Sequence, residues 1–350
     1  MTATAPRRWR RRLLLLAGSL GVALVVAEVA ARLALRKLNT MPRPAPAAGR
    51  ETLLVDMIQA AGERDVVYEL RPHLDCVFQG VRVTTDAHGF RGAEVALAKP
   101  PGTFRVLGLG DSVLFGWGVE QAETGASLLE QRLRVRPATP TAEVLCTGVP
   151  GYNTVMEAAF LRARGVAFAP DVVLVDFVGN DFDLPNFLLA PADFWRLDHC
   201  YLYDLALRVW RSDWLDPRTP FVWAPGDGQG HFESDPARVP AAYRHLVGPA
   251  AFRRALEAVA GLGRDHGFRV LVTTHGRLLP PAAAACAEFG LPIVELGPRV
   301  DAWLAEHHTQ RYVGSPLTVA ADDPHPSAIQ HAMWAEAVYA RLDELGWLPR

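Results

Sequence analysis

The fold of this chain is decided by the stretch Arg105-Val-Leu-Gly-Leu-Gly-Asp-Ser-Val-Leu-Phe-Gly-Trp-Gly118. It opens with a short apolar run of the kind that forms a buried strand, and it then breaks at Gly110-Asp111-Ser112 into a glycine-rich turn. A residue at the carboxyl end of a strand in an open α/β sheet faces the crevice where such sheets bind ligands. Ser112 is therefore a candidate nucleophile. A serine hydroxyl needs a base, a group that orients the base, and an oxyanion hole.

Strand-like and helix-like segments alternate on either side of this turn, from residue 103 onward. The predicted strands are Arg105–Leu109, Glu143–Thr147, Asp171–Phe177, Arg269–Thr274 and Pro292–Leu296. Helical periodicity follows or separates them around residues 128–133 and over Thr154–Arg164, Ala250–Asp265, Ala282–Phe289, Arg299–His307 and Ser327–Leu345. This alternation predicts an α/β fold, a three-layer α/β/α sandwich with a mostly parallel five-stranded sheet over residues 103–348.

One segment interrupts the alternation, at about residues 183–248. It carries Trp195, Trp210, Trp214 and Trp223 together with a Pro/Gly/Asp-rich part. An insertion after a strand that leads to the ligand-binding edge is a natural lid or substrate wall. A packing subdomain whose tryptophans fill a small core is an equally good interpretation.

The N-terminus, residues 1–40, has the pattern of an arginine-rich tip followed by a signal-anchor helix. Five arginines between Arg7 and Arg12 precede an apolar run from Leu13 to Ala27, which Glu28 interrupts. Arginines before an apolar helix favour a cytoplasmic N-terminus, so the rest of the chain is expected outside the cytoplasm, anchored to the membrane. Cleavage as a signal peptide, giving a secreted protein, is the alternative. Residues 41–102 are interpreted as a Pro/Ala-rich linker and a lead-in that packs on the main domain, with a strand at Val77–Val83.

Composition excludes several classes of partner and cofactor. The chain has 350 residues and a formal net charge of −2, which creates no field that attracts nucleic acid. Its four cysteines lack metal-type spacing, and no HExxH motif occurs, so no metal or other cofactor is expected. Cys146 and Cys286 stand in apolar contexts and are expected to be buried, although a disulfide in an exported protein remains open.

Four short motifs follow strands or precede the last helix. They are Gly110-Asp111-Ser112, Gly148-Val-Pro-Gly151, Gly179-Asn180-Asp181 and Asp322-Asp-Pro-His325. Each motif alone is weak, since such residues are common in turns. The carboxyl ends of parallel strands lie along one edge of a sheet, so these motifs are expected to converge there.

In this order the four motifs resemble those of the SGNH hydrolases, also called GDSL esterases. The resemblance covers about residues 104–345 without the insertion, and it implies a flavodoxin-like sheet. The segment from Tyr68 to Arg91 also resembles the region before the serine in membrane-anchored bacterial members. Cys146 departs from the pattern, because many members have asparagine there.

The residue types suggest a catalytic triad. Ser112 Oγ is expected to attack an ester carbonyl, and His325 to take its proton and return it to the leaving alcohol. Asp322 lies three residues before His325 and is preferred as the carboxylate that orients the imidazole, with Asp323 as its competitor. His275 follows the fourth strand and is a weaker candidate for the pocket wall.

The resemblance also implies an oxyanion hole with three donors. These are the backbone N–H of Ser112, the backbone N–H of Gly151 and the side-chain amide of Asn180, with Gly148 as the competitor of Gly151. Asp111 and Asp181 are expected to support their turns rather than act on substrate.

The expected function is hydrolysis of a short-chain acyl ester, carried by a small molecule, a glycan or a lipid. The alternatives are an O-acyltransferase acting on cell-surface polysaccharide with the same triad, and a non-catalytic envelope protein. A dinucleotide-binding fold is disfavoured, because Val113 stands where that motif needs glycine and Asp111 would face the pyrophosphate. No serine lies in the G-x-S-x-G pattern of α/β-hydrolases.

Overall fold

The computed structural model describes residues 6–40, 46–139, 141–190, 195–210, 220–226 and 231–349. The chain divides into two compact units. The helical unit comprises Met1–Pro44 and Leu189–Val222, and the sheet unit comprises Ala45–Leu188 and Trp223–Arg350. The predicted tryptophan-rich insertion is therefore shared between both units. Trp214 and linker residues 41–45 lie outside the described residues.

The helices and strands are named in chain order. The helices are α1 (Pro6–Thr40), α2 (Leu54–Met57), α3 (Ser112–Phe115), α4 (Gly125–Val135), α5 (Thr154–Ala163), α6 (Tyr201–Trp210), α7 (Pro249–His266), α8 (Pro280–Phe289), α9 (Gly297–Glu306) and α10 (Ala328–Glu344). The strands are β1 (Ile58–Ala60), β2 (Tyr68–Leu70), β3 (Asp75–Phe78), β4 (Val81–Thr84), β5 (Arg105–Gly110), β6 (Glu143–Cys146), β7 (Val172–Asp176), β8 (Phe187–Leu189), β9 (Phe221–Trp223), β10 (Arg269–Thr274) and β11 (Ile293–Glu295). Short 3₁₀ helices cover Arg64–Val66, Gln121–Glu123, Gly165–Phe168, Gly179–Phe182 and Ala241–Leu246.

A five-stranded parallel sheet forms the centre of the sheet unit, in the order β11-β10-β7-β5-β6. All five strands predicted from the sequence are present, and their ends differ from the predicted ends by no more than one residue. The predicted α/β class and parallel sheet are confirmed. β5 lies between β7 and β6, so Gly110 pairs with Asp176 and the motifs that follow β5, β6 and β7 emerge side by side.

Helices cover both faces of this sheet, because successive strand residues point to opposite sides. On one face, Val106 of β5 belongs to a buried cluster with Leu129 of α4 and Trp334 of α10. On the other face, the neighbouring Leu107 lies beside Gly165, near the end of α5. α4 packs on α10, and α5 packs on α7.

Two antiparallel hairpins precede the sheet, where a single strand at Val77–Val83 was expected. β1 pairs with β2, and β3 pairs with β4. The expectation of one strand is wrong because Gln79 and Gly80 both have positive φ, at 53° and 75°. Two such residues close the tight hairpin turn that matches the twist of paired strands.

The helical unit contains α1 and α6. The span Trp9–Leu38 of α1 is long and apolar enough to cross a membrane, with a mean hydropathy of 2.3 in its most apolar window. Membrane anchors and signal sequences share this property. The side chains between Leu13 and Val26 are largely exposed.

The four cysteines are free thiols in this structure. Cys76, Cys146 and Cys286 are buried, and Cys200 is exposed. The expected burial of Cys146 and Cys286 is confirmed.

Candidate active site

Ser112 is the first residue of α3, which follows β5 directly. Asp111 caps this helix, because its Oδ1 accepts a hydrogen bond from the backbone N–H of Val113 at 2.8 Å. A Cβ on Gly110 would lie 2.6 Å from the Cβ of Leu114, so only glycine allows the strand to turn this closely into the helix. The turn holds Ser112, which is 8% exposed, at the carboxyl edge of the sheet.

The imidazole of His325 lies against this serine. Its Nε2 is 2.9 Å from Ser112 Oγ, although 213 residues separate them in sequence. His325 lies in the loop before α10, and this loop is held by the backbone N–H of Val319, which donates to the His325 carbonyl at 3.0 Å. The structure thus brings the predicted nucleophile and the predicted base into hydrogen-bond reach.

The carboxylate beside His325 belongs to Asp323 and not to Asp322. Oδ1 of Asp323 lies 2.6 Å from Nδ1 of His325 and also accepts the backbone N–H of His325 at 2.9 Å. The expectation that Asp322 contacts the imidazole is wrong: Asp322 is exposed. The reason is local, because an aspartate that accepts the N–H two residues onward closes an Asx turn, which folds Asp323 back onto His325.

Several hydrogen bonds hold Asp323 in its charged form. Burial by itself raises the pKa of Asp323, but the backbone and ring N–H groups of His325, the charge of His325 and the indole of Trp117 together lower it below its ordinary value. Such a carboxylate stabilises the imidazolium that forms when His325 takes a proton.

Trp117 is a site residue that the sequence reading missed. Its ring stacks on His325 with centroids 4.7 Å apart and planes 11° apart. Its Nε1 donates to Oδ2 of Asp323 at 3.0 Å. Phe78 of β3 packs edge-on against the indole, with centroids 4.8 Å apart. The sequence contains one signal that could have indicated this role, the position of Trp117 in the glycine-rich stretch after Ser112.

Asn180 lies next to the serine turn. Its Nδ2 donates to Oδ2 of Asp111 at 3.1 Å. A side-chain amide carries two N–H groups, so this bond orients the amide and leaves a second N–H to donate. Asp181, which follows, accepts the backbone N–H of Val178 at 2.9 Å through Oδ2. The expected turn-supporting contacts of Asp111 and Asp181 are therefore present.

The two candidate glycines of the loop after β6 have different surroundings. Gly151 has φ of 81°, and a Cβ there would lie 2.3 Å from Cγ of Asn186. Gly148 packs against the serine turn instead, since its Cβ would lie 2.6 Å from the backbone nitrogen of Phe115. Both positions exclude a side chain. At Gly151 the positive φ and the Asn186 side chain exclude it, and at Gly148 the backbone of Phe115 excludes it.

Arg91 fixes the segment that follows Ser112, a role that the sequence did not reveal. It is 3% exposed, and its guanidinium donates to the carbonyls of Phe115, Gly116 and Val119 at 2.7, 2.6 and 2.6 Å. Burial lowers its pKa to about 10, so it stays charged at neutral pH. The one feature of the sequence that could have indicated this role is the position of Arg91 in the Gly89-Phe90-Arg91-Gly92 segment upstream of the serine.

The lead-in also holds the Gly151 loop. The phenol of Tyr68 in β2 donates to the carbonyl of Pro150 at 3.1 Å, and the phenol of Tyr152 donates to the backbone carbonyl of Tyr68. The two rings meet edge to face, with centroids 5.4 Å apart. The lead-in therefore packs against the segment after Ser112 and against the loop with Gly151, two of the three segments that carry candidate oxyanion donors.

A cavity of about 430 Å³ opens beside this cluster. Residues adjacent to the serine, the amide and the imidazole line it, namely Val113, Gly179, Pro324 and Pro326. His275 lines the cavity as well, as expected for a strand-end residue. Burial and the nearby His331 lower the pKa of His275 well below its ordinary value, so this imidazole is neutral.

Three other histidines, His331, His307 and His308, lie in α10 or just after α9. His331 is buried, and its Nδ1 accepts the backbone N–H of Gly125 at 3.1 Å. His307 and His308 are exposed at the end of α9. His331 is therefore a core histidine, and the other two are solvated. Within the described residues, no group of three or more His, Cys, Asp or Glu side chains could hold a metal ion.

Comparisons with known proteins give matches among solved structures. No protein-family model and no curated protein matches the chain. The structure of TesA is 18% identical with a TM-score of 0.40, and the match covers 69% of this chain and 99% of that one. An acetyl xylan esterase is 14% identical with a TM-score of 0.42, covering 68% and 100%. A lipase/acylhydrolase from Enterococcus faecalis is 13% identical with a TM-score of 0.38, covering 69% and 96%. Likenesses at such low identity concern the fold and not the reaction.

Proposed function

We propose that this chain is a membrane-anchored serine esterase whose triad is Ser112, His325 and Asp323. The observation that supports it is the pair of contacts on one imidazole. Nε2 of His325 is 2.9 Å from the Ser112 hydroxyl, and Nδ1 is 2.6 Å from the Asp323 carboxylate. An imidazole held between a hydroxyl and a carboxylate in this way can act as the general base for that hydroxyl.

Acylation and deacylation use the same three groups. Ser112 Oγ attacks the ester carbonyl while its proton moves to Nε2 of His325, and Asp323 stabilises the resulting imidazolium. When the tetrahedral intermediate collapses, His325 returns the proton to the leaving alcohol and an acyl-serine remains. Water then attacks the acyl-serine with His325 again as base, and the acid leaves as Ser112 is regenerated.

The oxyanion is expected to lie between three donors. These are the backbone N–H of Ser112, the backbone N–H of Gly151 and the second N–H of the Asn180 amide. The Asn180 amide is already oriented by Asp111, so little reorganisation is needed when charge develops on the carbonyl oxygen. The short loop with Gly148 packs under the serine turn, which favours Gly151 as the second donor.

The neighbouring cavity suits a small ester. Its volume of about 430 Å³ is at the lower end of small-molecule sites, and its lining includes the apolar side chains of Phe177, Val300 and Leu304. Arg277 and Asp301 at its wall are exposed and pair at 2.5 Å. A short acyl group on a polar alcohol, such as an acetylated sugar, fits this combination of an apolar wall and charged groups.

The apolar stretch of α1 and the arginines that precede this stretch in the first turns of the helix support an uncleaved anchor with the sheet unit on the exported side. Retention of the full chain in membranes after an alkaline carbonate wash tests this part of the proposal. Release into the supernatant would show cleavage or peripheral attachment instead.

Active-site labelling tests the chemistry. A fluorophosphonate probe should label the full chain in detergent, and Ser112→Ala should abolish both labelling and hydrolysis of p-nitrophenyl acetate. Ser234→Ala, at an exposed serine, is the matched control and should keep both. Labelling that survives Ser112→Ala would overturn the assignment. Hydrolysis measured with and without an acceptor polysaccharide distinguishes an esterase from an acyltransferase, because only a transferase moves the acetyl group onto the sugar.

A further inference from the structure

In the helical unit, two charged residues in the C-terminal half of α1, Glu28 and Arg32, have partners in α6 and the segment before it. The carboxylate of Glu28 accepts the backbone N–H groups of Tyr201 and Leu202 at 3.0 and 2.7 Å. Arg32 pairs with Glu28 at 2.9 Å and donates to the carbonyls of Arg196 and His199 at 2.8 and 3.2 Å. The first turn of α6 and the segment before it are thereby tied to one side of α1.

Apolar packing reinforces this contact. Ala31 and Leu35 of α1 are buried together with Tyr201 of α6, and Leu202 and Leu205 pack against them. The guanidinium of Arg32 lies 4.6 Å above the centre of the Tyr201 ring. The ion pair, the backbone hydrogen bonds and the apolar contacts all involve the stretch of α1 from Glu28 to Leu35. This stretch therefore fixes the position of α6 along α1.

The stretch of α1 that contacts α6 corresponds to the outer edge of a bilayer. A helix needs about 20 residues to cross the hydrocarbon core. Counted from Leu13, the first apolar residue after the arginines, such a span ends at about Arg32. Glu28 and Arg32 therefore fall in the last turns of the span, and the exposed Arg36 and Lys37 follow where lipid phosphates lie.

The surface around α6 exposes large apolar and aromatic side chains. Leu197 is 98% exposed, Tyr203 62%, Val209 64% and Trp210 79%. Tyrosine and tryptophan are the residues that favour the headgroup level of a membrane, where the ring is partly in lipid and its polar atom partly in water. In water, the same surface would be an unfavourable exposure of apolar area.

We propose that residues 195–210, which include α6, lie at the outer lipid interface of the bilayer that α1 crosses, and that Glu28 and Arg32 hold them there. The partner of this surface is lipid, because α6 is tied to a membrane-crossing helix at the level where that helix leaves the hydrocarbon. The inference rests on the anchoring proposed above and goes beyond it, since it assigns part of the tryptophan-rich insertion to the membrane surface.

Depth-dependent quenching tests the inference with the full chain in vesicles of phosphatidylcholine and phosphatidylglycerol. Cys200 is the exposed cysteine, so Cys200→Ser gives a background for single thiol labels. A fluorescent label at Tyr203→Cys should be quenched roughly twofold or more strongly by a nitroxide near the headgroup than by one deep in the acyl chains. A label at Leu20→Cys should show the opposite order, and one at Glu306→Cys on the sheet unit gives the reference in solvent.

The outcomes separate the two proposals. If Leu20→Cys is quenched deeply but Tyr203→Cys behaves like the solvent reference, the interfacial position of α6 is overturned and the anchor stands. If neither label is quenched, the anchor fails and the inference fails with it. Glu28→Leu should reduce quenching at Tyr203→Cys by about half or more and leave Leu20→Cys unchanged, since it removes the carboxylate that caps α6. Unchanged quenching at both labels would overturn the role of Glu28.

Discussion

One carboxylate oxygen, Oδ1 of Asp323, contacts His325 at two atoms, 2.9 Å from its backbone nitrogen and 2.6 Å from its ring Nδ1. The backbone contact sets the turn, and the ring contact sets the orientation of the imidazole. The same two-residue turn therefore both shapes the loop and directs Nε2 of His325 toward Ser112.

The two adjacent aspartates of this loop form a matched pair for mutation. Asp323→Asn should lower kcat for p-nitrophenyl acetate by a factor on the order of 10⁴, because the amide favours the wrong imidazole tautomer. Asp322→Asn, at the exposed neighbour, should change kcat less than about twofold. The reverse order of effects would return the orienting role to Asp322.

Trp117→Phe isolates the hydrogen bond from the stacking. Phenylalanine keeps an aromatic ring on His325 but removes the donor to Oδ2 of Asp323. A hydrogen bond to a charged group contributes roughly 1.5–3 kcal/mol, so kcat/KM should fall by about tenfold or more. Trp117→Leu, which also loses the stacked ring, should fall further. Equal activity of all three proteins in steady-state assays would remove Trp117 from the site.

Asn180→Ala tests the oxyanion donor. Loss of one such donor should lower kcat by a factor on the order of 10²–10³ while KM changes little, because the interaction strengthens in the transition state. The Tm of this variant should remain close to the Tm of the unmodified chain. A fall in kcat of less than about twofold would place the oxyanion elsewhere.

Arg91→Met should destabilise the fold, because the buried carbonyls of Phe115 and Val119 lose the guanidinium as donor, while the Gly116 carbonyl keeps the backbone N–H of Val119. Each unpaired acceptor costs about 1–3 kcal/mol, so Tm should fall by on the order of 10 °C. Arg82→Met is the control: Arg82 is exposed and pairs with exposed Asp75, and loss of such a solvent-screened ion pair should change Tm little. Similar Tm losses in both variants would contradict the role of Arg91 under the serine turn.

Asp176 should make stability depend on pH. Burial, with the nearby Asp111, raises its pKa from 3.8 to about 7, against hydrogen bonds from Thr273 and Trp334. The folded protein therefore holds this proton to a higher pH than the unfolded chain does. Its contribution to stability is full below about pH 4 and declines as pH rises to about 7, by at most about 1.4 kcal/mol per pH unit.

Asp176→Asn removes this titration and keeps the carbonyl oxygen that accepts from Thr273 and Trp334. The Tm of the variant relative to the unmodified chain should therefore rise between pH 5 and pH 8, by several degrees according to the usual relation of about 2–4 °C per kcal/mol. A constant difference in Tm across this range would show that Asp176 does not titrate in the folded protein between these pH values, and would contradict its pKa of about 7.

The sheet and the placement of its motifs follow from local properties of the sequence. Each strand is a short apolar run ended by glycine or a polar turn, and runs of this kind indicate the same strand in any context that buries both faces. The predicted ends of β10 agree with the structure for this reason, and those of β5 differ from it by one residue. The convergence of Ser112 and Asn180 also follows, because they come after the neighbouring parallel strands β5 and β7, whose carboxyl ends lie at one edge of the sheet.

Other features depend on contacts between distant parts of the chain. Asp322 and Asp323 differ by one position, and only the turn geometry determines which carboxylate faces the ring of His325. Trp117 contacts Asp323 across 206 residues, and Glu28 meets the start of α6 across 173 residues. A single sequence contains no local signal for such pairs, because their side chains meet only when packing and backbone direction are fixed by the whole fold.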